Sequence, residues 1–305
     1  MAEKNKARII PVLLITGCFV AAFFVLRALP DAECGFLHYV EIVNEDGEIE
    51  LCATNHAGFI DLSRLKYPIN IELAPEAELQ PGTLHNIELD LETEGGMPIA
   101  AHELAITHTK KMHVMLVDPS LEDYHHVHPA SEGFDGHFHF SFKPERSGTY
   151  RVFTEIVPNR SRRQAIATAM ISVEGEPDQL KFTSNRAYTN SGVQFRLLSV
   201  PDKIQTGRDY LLRLNVTAAN GDPIKLEEIM GAKGHMVAFD FAGKGFAHMH
   251  PMDSIVEAVA GFRTQDEEED LEFLFNVPNP GDYRLFAQIQ VEGQAVFGRF
   301  DLRVE

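Results

Sequence analysis

The sequence is short of cysteine and of positive charge, and each shortage excludes a class of protein. Its 305 residues contain three cysteines, too few for a small secreted fold that depends on a disulfide framework. Lys and Arg total 27 against 45 Asp and Glu, so the formal net charge is −18. Because phosphate binding requires clustered cations, this balance argues against nucleic acid as a partner. The 44% hydrophobic and 24% charged composition is that of a folded protein, which excludes wholesale disorder.

The sequence also lacks the signatures of common catalytic sites. It contains no GxSxG elbow, no Walker loop and no dinucleotide-binding glycine fingerprint. His102-Glu103 is followed by a histidine six positions after His102, whereas a zincin motif needs the second histidine at four. We therefore predict that the protein is not an enzyme. An acid–base hydrolase that uses carboxylates without a recognisable motif is the alternative.

The long apolar run of the sequence lies at its N-terminus. Residues 9–26 carry no charge, and at about 1.5 Å per residue they would extend about 27 Å, close to the hydrocarbon thickness of a bilayer. Lys4, Lys6 and Arg8 precede the run, which places the N-terminus in the cytoplasm by the positive-inside rule. We predict that residues 1–30 form a signal anchor, a single transmembrane helix, with the bulk of the chain periplasmic or extracellular. A cleaved signal peptide and a lipoprotein signal at Cys18 are the alternatives.

Beyond this run, helical periodicity is almost absent. Short alternating or apolar stretches are separated by turn residues, which is typical of β-sandwiches or barrels. The pattern also repeats, so that residues of one half recur in the other at offsets of 122 to 133. The matching pairs include Gly82 and Gly207, His113 and His235, His126 and His248, His128 and His250, Gly148 and Gly281, and Tyr150 and Tyr283. We predict two copies of one β domain, at residues 68–175 and 185–305.

A separate preface is predicted between the anchor and the first copy, at residues 31–67. It contains a plausible β-hairpin. Cys34 and His38 stand in a C-x3-H pattern that Cys52 and His56 repeat. In an oxidising compartment the first interpretation is a Cys34–Cys52 disulfide; a Cys2His2 metal site and unrelated thiols are the alternatives.

Histidine is the unusual residue of this composition. Each copy has one histidine, then two more 13 and 15 residues later, and a proline follows the last one. Residues two apart on a strand point to the same side, and a neighbouring antiparallel strand can supply the third ring. Three imidazoles that converge in this way suit copper or zinc. The predicted ligands are His113, His126 and His128 in copy 1, and His235, His248 and His250 in copy 2.

Other side chains are candidates for additional ligands. Met115 and Met249 stand beside the histidine motifs, and because thioethers prefer Cu(I) they favour copper over zinc. His137 and His139 alternate with phenylalanines and should face away from the core of copy 1; with His102, His108 and His125 they are predicted to form an outer patch. The alternative for the six motif histidines is structural, as core residues bonded to backbone carbonyls.

The stretch from Met112-His113 to His128-Pro129, with Gly148-Thr149-Tyr150-Arg151-Val152-Phe153, resembles FixH- and YtkA-like bacterial proteins. The resemblance implies immunoglobulin-like extracytoplasmic modules, some of them associated with copper handling or respiratory-oxidase assembly.

Together these observations predict an all-β fold: two tandem immunoglobulin-like or cupredoxin-like β-sandwiches after one N-terminal transmembrane helix. The predicted function is binding of copper, or alternatively zinc, for storage, delivery or sensing. The expected partners are the membrane and a metalloprotein or other envelope protein. The competing hypothesis is a non-catalytic interaction scaffold with structural histidines.

Overall fold

The computed structural model describes residues 15–25, 39–43, 49–53, 58–131, 133–252 and 270–305. Residues 15–25 are helical. Within the described ranges, no helix combines the length and the hydropathy that crossing a bilayer requires. The rest of the predicted anchor lies outside the described residues, as do Cys34, His38 and His56 and the side chain of Cys52, so the predicted disulfide and its alternatives stay predictions.

From residue 39 onward the described chain is built mainly of strands. They are β1 (Tyr39–Val43), β2 (Ile49–Ala53), β3 (Ile60–Asp61), β4 (Ile69–Pro75), β5 (His85–Thr93), β6 (Met112–Val117), β7 (Tyr124–Val127), β8 (His137–Phe142), β9 (Gly148–Ile156), β10 (Ala165–Val173), β11 (Ala187–Asn190), β12 (Val193–Leu198), β13 (Tyr210–Ala218), β14 (His235–Asp240), β15 (Gly245–Met249), β16 (Leu271–Phe275), β17 (Gly281–Val291) and β18 (Gln294–Val304). A short 3₁₀ helix covers Ala101–Glu103.

Copy 1 is a sandwich of two antiparallel sheets. One sheet has the order β10-β9-β6-β7 and the other the order β4-β5-β8. The alternation of the sequence sets which side chains enter the core: in β8, Phe138, Phe140 and Phe142 are buried while His137 and His139 are exposed. The buried phenylalanines pack with Ile, Leu and Val residues of the opposite sheet to form the core of this copy.

Copy 2 repeats the arrangement. Its sheets have the orders β18-β17-β14-β15-β3 and β11-β12-β13-β16, so that β18, β17, β14 and β15 correspond to β10, β9, β6 and β7. The prediction of an all-β chain with two tandem immunoglobulin-like sandwiches and an internal repeat is therefore confirmed.

The preface segment contributes to the sheet of copy 2. Its hairpin strands β1 and β2 pair with each other, whereas β3 pairs with β15 through Ile60 and Phe246. The pairing brings two backbones unusually close, because a Cβ added at Gly245 would lie 1.8 Å from the Ile60 carbonyl oxygen. Glycine is thus required at this position for β3 to join the sheet.

The two copies bury a shared hydrophobic layer between the sheets that carry the histidine motifs. Strands β6 and β14 are buried on both faces, one face against the core of their own copy and the other in this layer. The layer has an approximate two-fold symmetry. The Tyr124 ring of copy 1 stacks on Phe286 of copy 2 at 4.9 Å, and the equivalent rings, Phe246 of copy 2 and Phe153 of copy 1, lie 5.0 Å apart. Aromatic pairs at such spacing add to the free energy gained by burial.

A buried arginine ties the copies together at the edge of this layer. Arg284 in β17 forms a bidentate ion pair with Asp301 of β18, with N–O distances of 2.6 and 2.7 Å. The same guanidinium donates to the carbonyls of Ser120 and Leu121, in the β6–β7 loop of copy 1, at 3.1 and 2.9 Å. Since the group is about 1% exposed, these bonds fix the loop of one copy against the sheet of the other.

Candidate metal centre

The first histidine of each motif lies on a central strand that faces the other copy. His113 in β6 is paired in register with Glu155 of β9, and His235 in β14 is paired with Gln288 of β17. Both histidines are about 1% exposed. His113 shares its strand parity with Met115, and therefore points into the layer between the sandwiches rather than into the core of copy 1.

The other two histidines of each motif come from the neighbouring strand and the residue just beyond it. In copy 1, His126 belongs to β7 and His128 follows its end; in copy 2, His248 belongs to β15 and His250 follows it. Alternation along the strand turns the members of each pair to the same side. In each triad one ring nitrogen from every histidine lies within 4.8 Å of the others, so the geometry allows one ion to be shared by three rings.

The two triads also lie against each other. The ring centroids of His126 and His248 are 5.2 Å apart, and those of His113 and His248 are 5.9 Å apart. The sequence predicted one site in each copy, but the structure places both at one point of the interface. We call this group the histidine cluster. It consists of His113, His126, His128, His235, His248 and His250.

Hydrogen bonds to acceptor oxygens fix which nitrogen of three rings carries the proton. His113 donates from Nε2 to the Thr107 carbonyl at 2.9 Å. His126 donates from Nδ1 to Oε1 of Gln288 at 3.2 Å, and His248 donates from Nδ1 to Oε2 of Glu155 at 3.3 Å. Since a neutral imidazole has one N–H, the second nitrogen of each ring is left with a lone pair.

These lone pairs point into the triads. Nδ1 of His113 lies 3.2 Å from Nε2 of His126, and with the protons held on the opposite side of both rings no hydrogen stands between them. Two ligand nitrogens bound to one tetrahedral ion at 2.0–2.1 Å would be about 3.3–3.4 Å apart. Several further ring nitrogens are buried without a hydrogen-bond partner among the described residues. They are Nε2 of His128, His248 and His250, and both nitrogens of His235.

Burial keeps five rings of the cluster in the neutral form that binds metals. It lowers the pKa of His113 to about 4, and with the charge of His113 it lowers the pKa of His128 to about 2. The pKa values of three other rings are also far below 6.5, because of burial and of charge on neighbouring imidazoles. These are His126, His235 and His250.

Glu155 is the carboxylate of this site. Burial alone would raise its pKa, but the hydrogen bond from His248 and the electrostatic interactions with the surrounding imidazoles outweigh burial and hold the pKa at about 2. Gln164 donates to its other oxygen. A buried carboxylate that stays ionised needs a nearby positive charge, from either a protonated ring or a metal ion.

The position of His108 contradicts the prediction that this residue belongs to an outer patch of copy 1. This loop residue stacks on His250 of the other copy, with centroids 3.8 Å apart and an interplanar angle of 23°. Burial lowers its pKa to about 3. It adopts a positive φ of 51°, and Met230, its counterpart in copy 2, has a φ of 52°. Sequence reasoning missed this placement because the loop conformation, rather than strand alternation, directs the ring.

The methionine prediction is only partly consistent with the structure. Met115 lies opposite His126 in register and packs in the layer between the sandwiches. Met249 does not join the histidine cluster, because it alternates with His248 and His250 along the strand and packs into the core of copy 2. Met112 and Met236 likewise enter the cores of their own copies.

His137 and His139 are separate from the cluster. Both lie on β8, in the sheet of copy 1 that does not carry the triads, and both are exposed. His137 forms an ion pair with Asp90, whose hydrogen bond raises the pKa of the ring. Neither side chain therefore adds a ligand to either triad.

The family model described as a domain of unknown function, DUF8832, matches residues 67–175 and, a second time, residues 188–305. The chain belongs to this family. Each of its two DUF8832 domains contributes one histidine triad. No curated protein sequence matches the chain.

Solved structures that match the chain include the fibronectin(III)-like modules of Clostridium thermocellum CbhA, at 9% identity and a TM-score of 0.22, covering 77% of this chain and 94% of that one. A chimeric titin Z1Z2 matches at 15% identity and a TM-score of 0.20, covering 79% and 99%. Salmonella alpha-2-macroglobulin reacted with methylamine matches at 12% identity and a TM-score of 0.26, covering 86% of this chain but 16% of that one.

Proposed function

We propose that this protein binds a transition metal, copper first and zinc as the alternative, at the histidine cluster between its two DUF8832 domains. The observation that carries the proposal is the approach of Nδ1 of His113 to Nε2 of His126, at 3.2 Å. Both nitrogens carry lone pairs, because the other nitrogen of each ring donates to an oxygen. Two facing lone pairs repel each other unless a cation lies between them. A proton is disfavoured there, since burial lowers the pKa of His113 to about 4.

The free energy of burial supports a ligand at the cluster. A buried polar atom without a partner costs about 1–3 kcal/mol, and five ring nitrogens of the cluster lack one among the described residues. Apolar residues of similar size would pack the same interface without this cost. A purely structural cluster would therefore be a source of instability, whereas metal coordination would satisfy the same atoms.

The donor set supports copper and zinc over harder cations. Imidazole nitrogen suits both metals, and affinity for Cu²⁺ exceeds that for Zn²⁺ at most nitrogen sites. Met115 is the methionine that shares a strand face with His113, so it is the thioether placed to favour Cu(I). Met249, which packs in a core, gives no support for copper.

A role in metal storage, delivery or sensing fits this position better than catalysis. His113 and His235 are buried at the interface, which leaves little room for a substrate beside the metal. The uncharged run of residues 9–26 after three cations supports an anchored, extracytoplasmic protein. The resemblance to FixH- and YtkA-like proteins supports the same compartment and a part in copper handling.

Titration of the purified, chelator-treated full chain with Cu(I), Cu(II) and Zn(II) tests the proposal. We expect tight, saturable binding by calorimetry and competition with a chromophoric chelator. The double variant with His126→Ala and His128→Ala should lose the copy 1 site. The matched control is the double variant with His137→Ala and His139→Ala, which removes two exposed histidines and should bind as the original chain does. Absence of binding by any of these metals would contradict the proposal and favour the interaction-scaffold hypothesis.

A further inference from the structure

In each triad, the ring N–H of one histidine donates a hydrogen bond to a residue of the other copy. His126 of copy 1 donates to Gln288 of copy 2, and His248 of copy 2 donates to Glu155 of copy 1. These two acceptors occupy equivalent places. Glu155 is the register partner of His113 in one sheet, and Gln288 is the register partner of His235 in the other. Each triad is therefore oriented by the opposite sandwich.

The two acceptors differ in charge. Glu155 and Gln288 have nearly the same shape and nearly the same exposure, 6% and 5%. The carboxylate of Glu155 accepts a charge-assisted hydrogen bond, which is about twice as strong as a bond to a neutral amide. A carboxylate behind a metal-binding histidine fixes the ring and makes its free nitrogen a stronger ligand, and loss of such a partner lowers metal affinity 10- to 100-fold.

The surroundings hold the carboxylate in place for this role. One oxygen of Glu155 accepts from Gln164 and the other faces Nδ1 of His248. The bond to His248 leaves Nε2 of that ring as the ligand atom, and this Nε2 is buried without a partner among the described residues.

We propose that the histidine cluster holds two unequal metal sites, each completed by the other copy. The copy 2 triad, His235 with His248 and His250, is the tighter site because Glu155 of copy 1 supports it. The copy 1 triad, supported by Gln288, is the weaker site. This inference rests on the proposed metal binding and adds to it an order of filling and an interdependence of the two domains.

Exchange of the two supporting residues tests the inference on the full chain. With zinc as the probe, we expect two binding steps whose affinities differ about 10-fold or more. Glu155→Gln should weaken the tight step by about 10- to 100-fold, and Gln288→Glu should strengthen the weak step. The double exchange should restore two unequal steps with their order reversed.

Two single-histidine variants show which triad is responsible for each binding step. In the original chain, His250→Ala should remove the tight step and His128→Ala the weak one. In the double-exchange background the same substitutions should remove the opposite steps. Near-ultraviolet circular dichroism checks that each variant is folded; if Glu155→Gln fails to fold, the comparison of Gln288→Glu with the original chain still decides.

The outcomes separate this inference from the proposal beneath it. Absence of zinc and copper binding to the original chain contradicts the proposed function itself. Two equal steps, or a Gln288→Glu variant whose weak step is unchanged, overturn the inference and leave metal binding intact. Equal weakening of both steps by Glu155→Gln also overturns it, because the carboxylate would then act on the cluster as a whole.

Discussion

Lowering the pH from 7 to 5 in the presence of a chelator is expected to destabilise the metal-free chain strongly. The cause is the buried histidine cluster together with His108. Three rings have folded-state pKa values of about 4, 3 and 2, in His113, His108 and His128 respectively, against about 6.5 when unfolded. In the window between these values the unfolded chain binds more protons than the folded chain. Their contribution to stability is therefore complete above pH 6.5 and is lost as the pH falls toward the folded-state values.

The magnitude follows from the same values. When the pH falls from 7 to 5, each such ring becomes protonated in the unfolded chain but not in the folded chain. This lowers the free energy of unfolding by about 1.9 kcal/mol for each ring. The three rings together account for about 5–6 kcal/mol, which is comparable with the whole stability of many domains. The lowered pKa values of His126, His235 and His250 act in the same direction.

Urea unfolding at pH 7 and pH 5 measures this loss. His128→Ala should reduce the difference between the two pH values by about 1.9 kcal/mol, whereas His139→Ala, on the exposed face of β8, should leave it unchanged. A free energy of unfolding that is the same at both pH values, to within about 1 kcal/mol, would refute the claim that these rings are neutral in the folded chain.

Three further substitutions test the packing that positions the cluster. Arg284→Ala leaves Asp301 buried without its partner and should cost about 3–5 kcal/mol in urea unfolding; adding Asp301→Asn should recover part of the loss, and no recovery would refute the ion-pair account. Phe239→Ala opens a cavity in the layer between the sandwiches and should lower the free energy of unfolding by about 3–5 kcal/mol. A decrease below about 1 kcal/mol would mean that the layer does not form. Gly245→Ala should displace β3 and lower the melting temperature, while Gly58→Ala, which has open space around it, should not; equal effects would contradict the close approach of the two backbones.

Much of the fold was predictable because strand periodicity and repetition are local properties of the chain. The alternation of phenylalanine and histidine in β8 predicts which side chains face the core, and the structure places all of them accordingly. The same rule predicts that His126 and His128 share a side. It also explains why Met249 packs in the core of copy 2 and not in the histidine cluster, since a residue between two histidines on a strand must face away from them.

The placement of His108 and of the two supporting acceptors could not be predicted in this way. His108 reaches His250 through a loop with positive φ, and no periodic pattern marks such a turn. Glu155 and Gln288 match under the offset of 133 that relates Tyr150 to Tyr283, so the repeat could have drawn attention to the pair. It would not have shown that each acts on the histidine of the opposite copy.

The amino-acid sequence by itself determined the β-strands, their duplication and the histidines that each copy turns to one side, because each of these depends on neighbours in the chain. Only the tertiary structure decided that the two triads meet. Strands β6 and β14 are buried on both faces. A local pattern cannot show whether the second buried face packs against the same domain or against the other copy. Docking of the two sheets, held by the aromatic layer and by Arg284, is what brings two separate motifs into one histidine cluster.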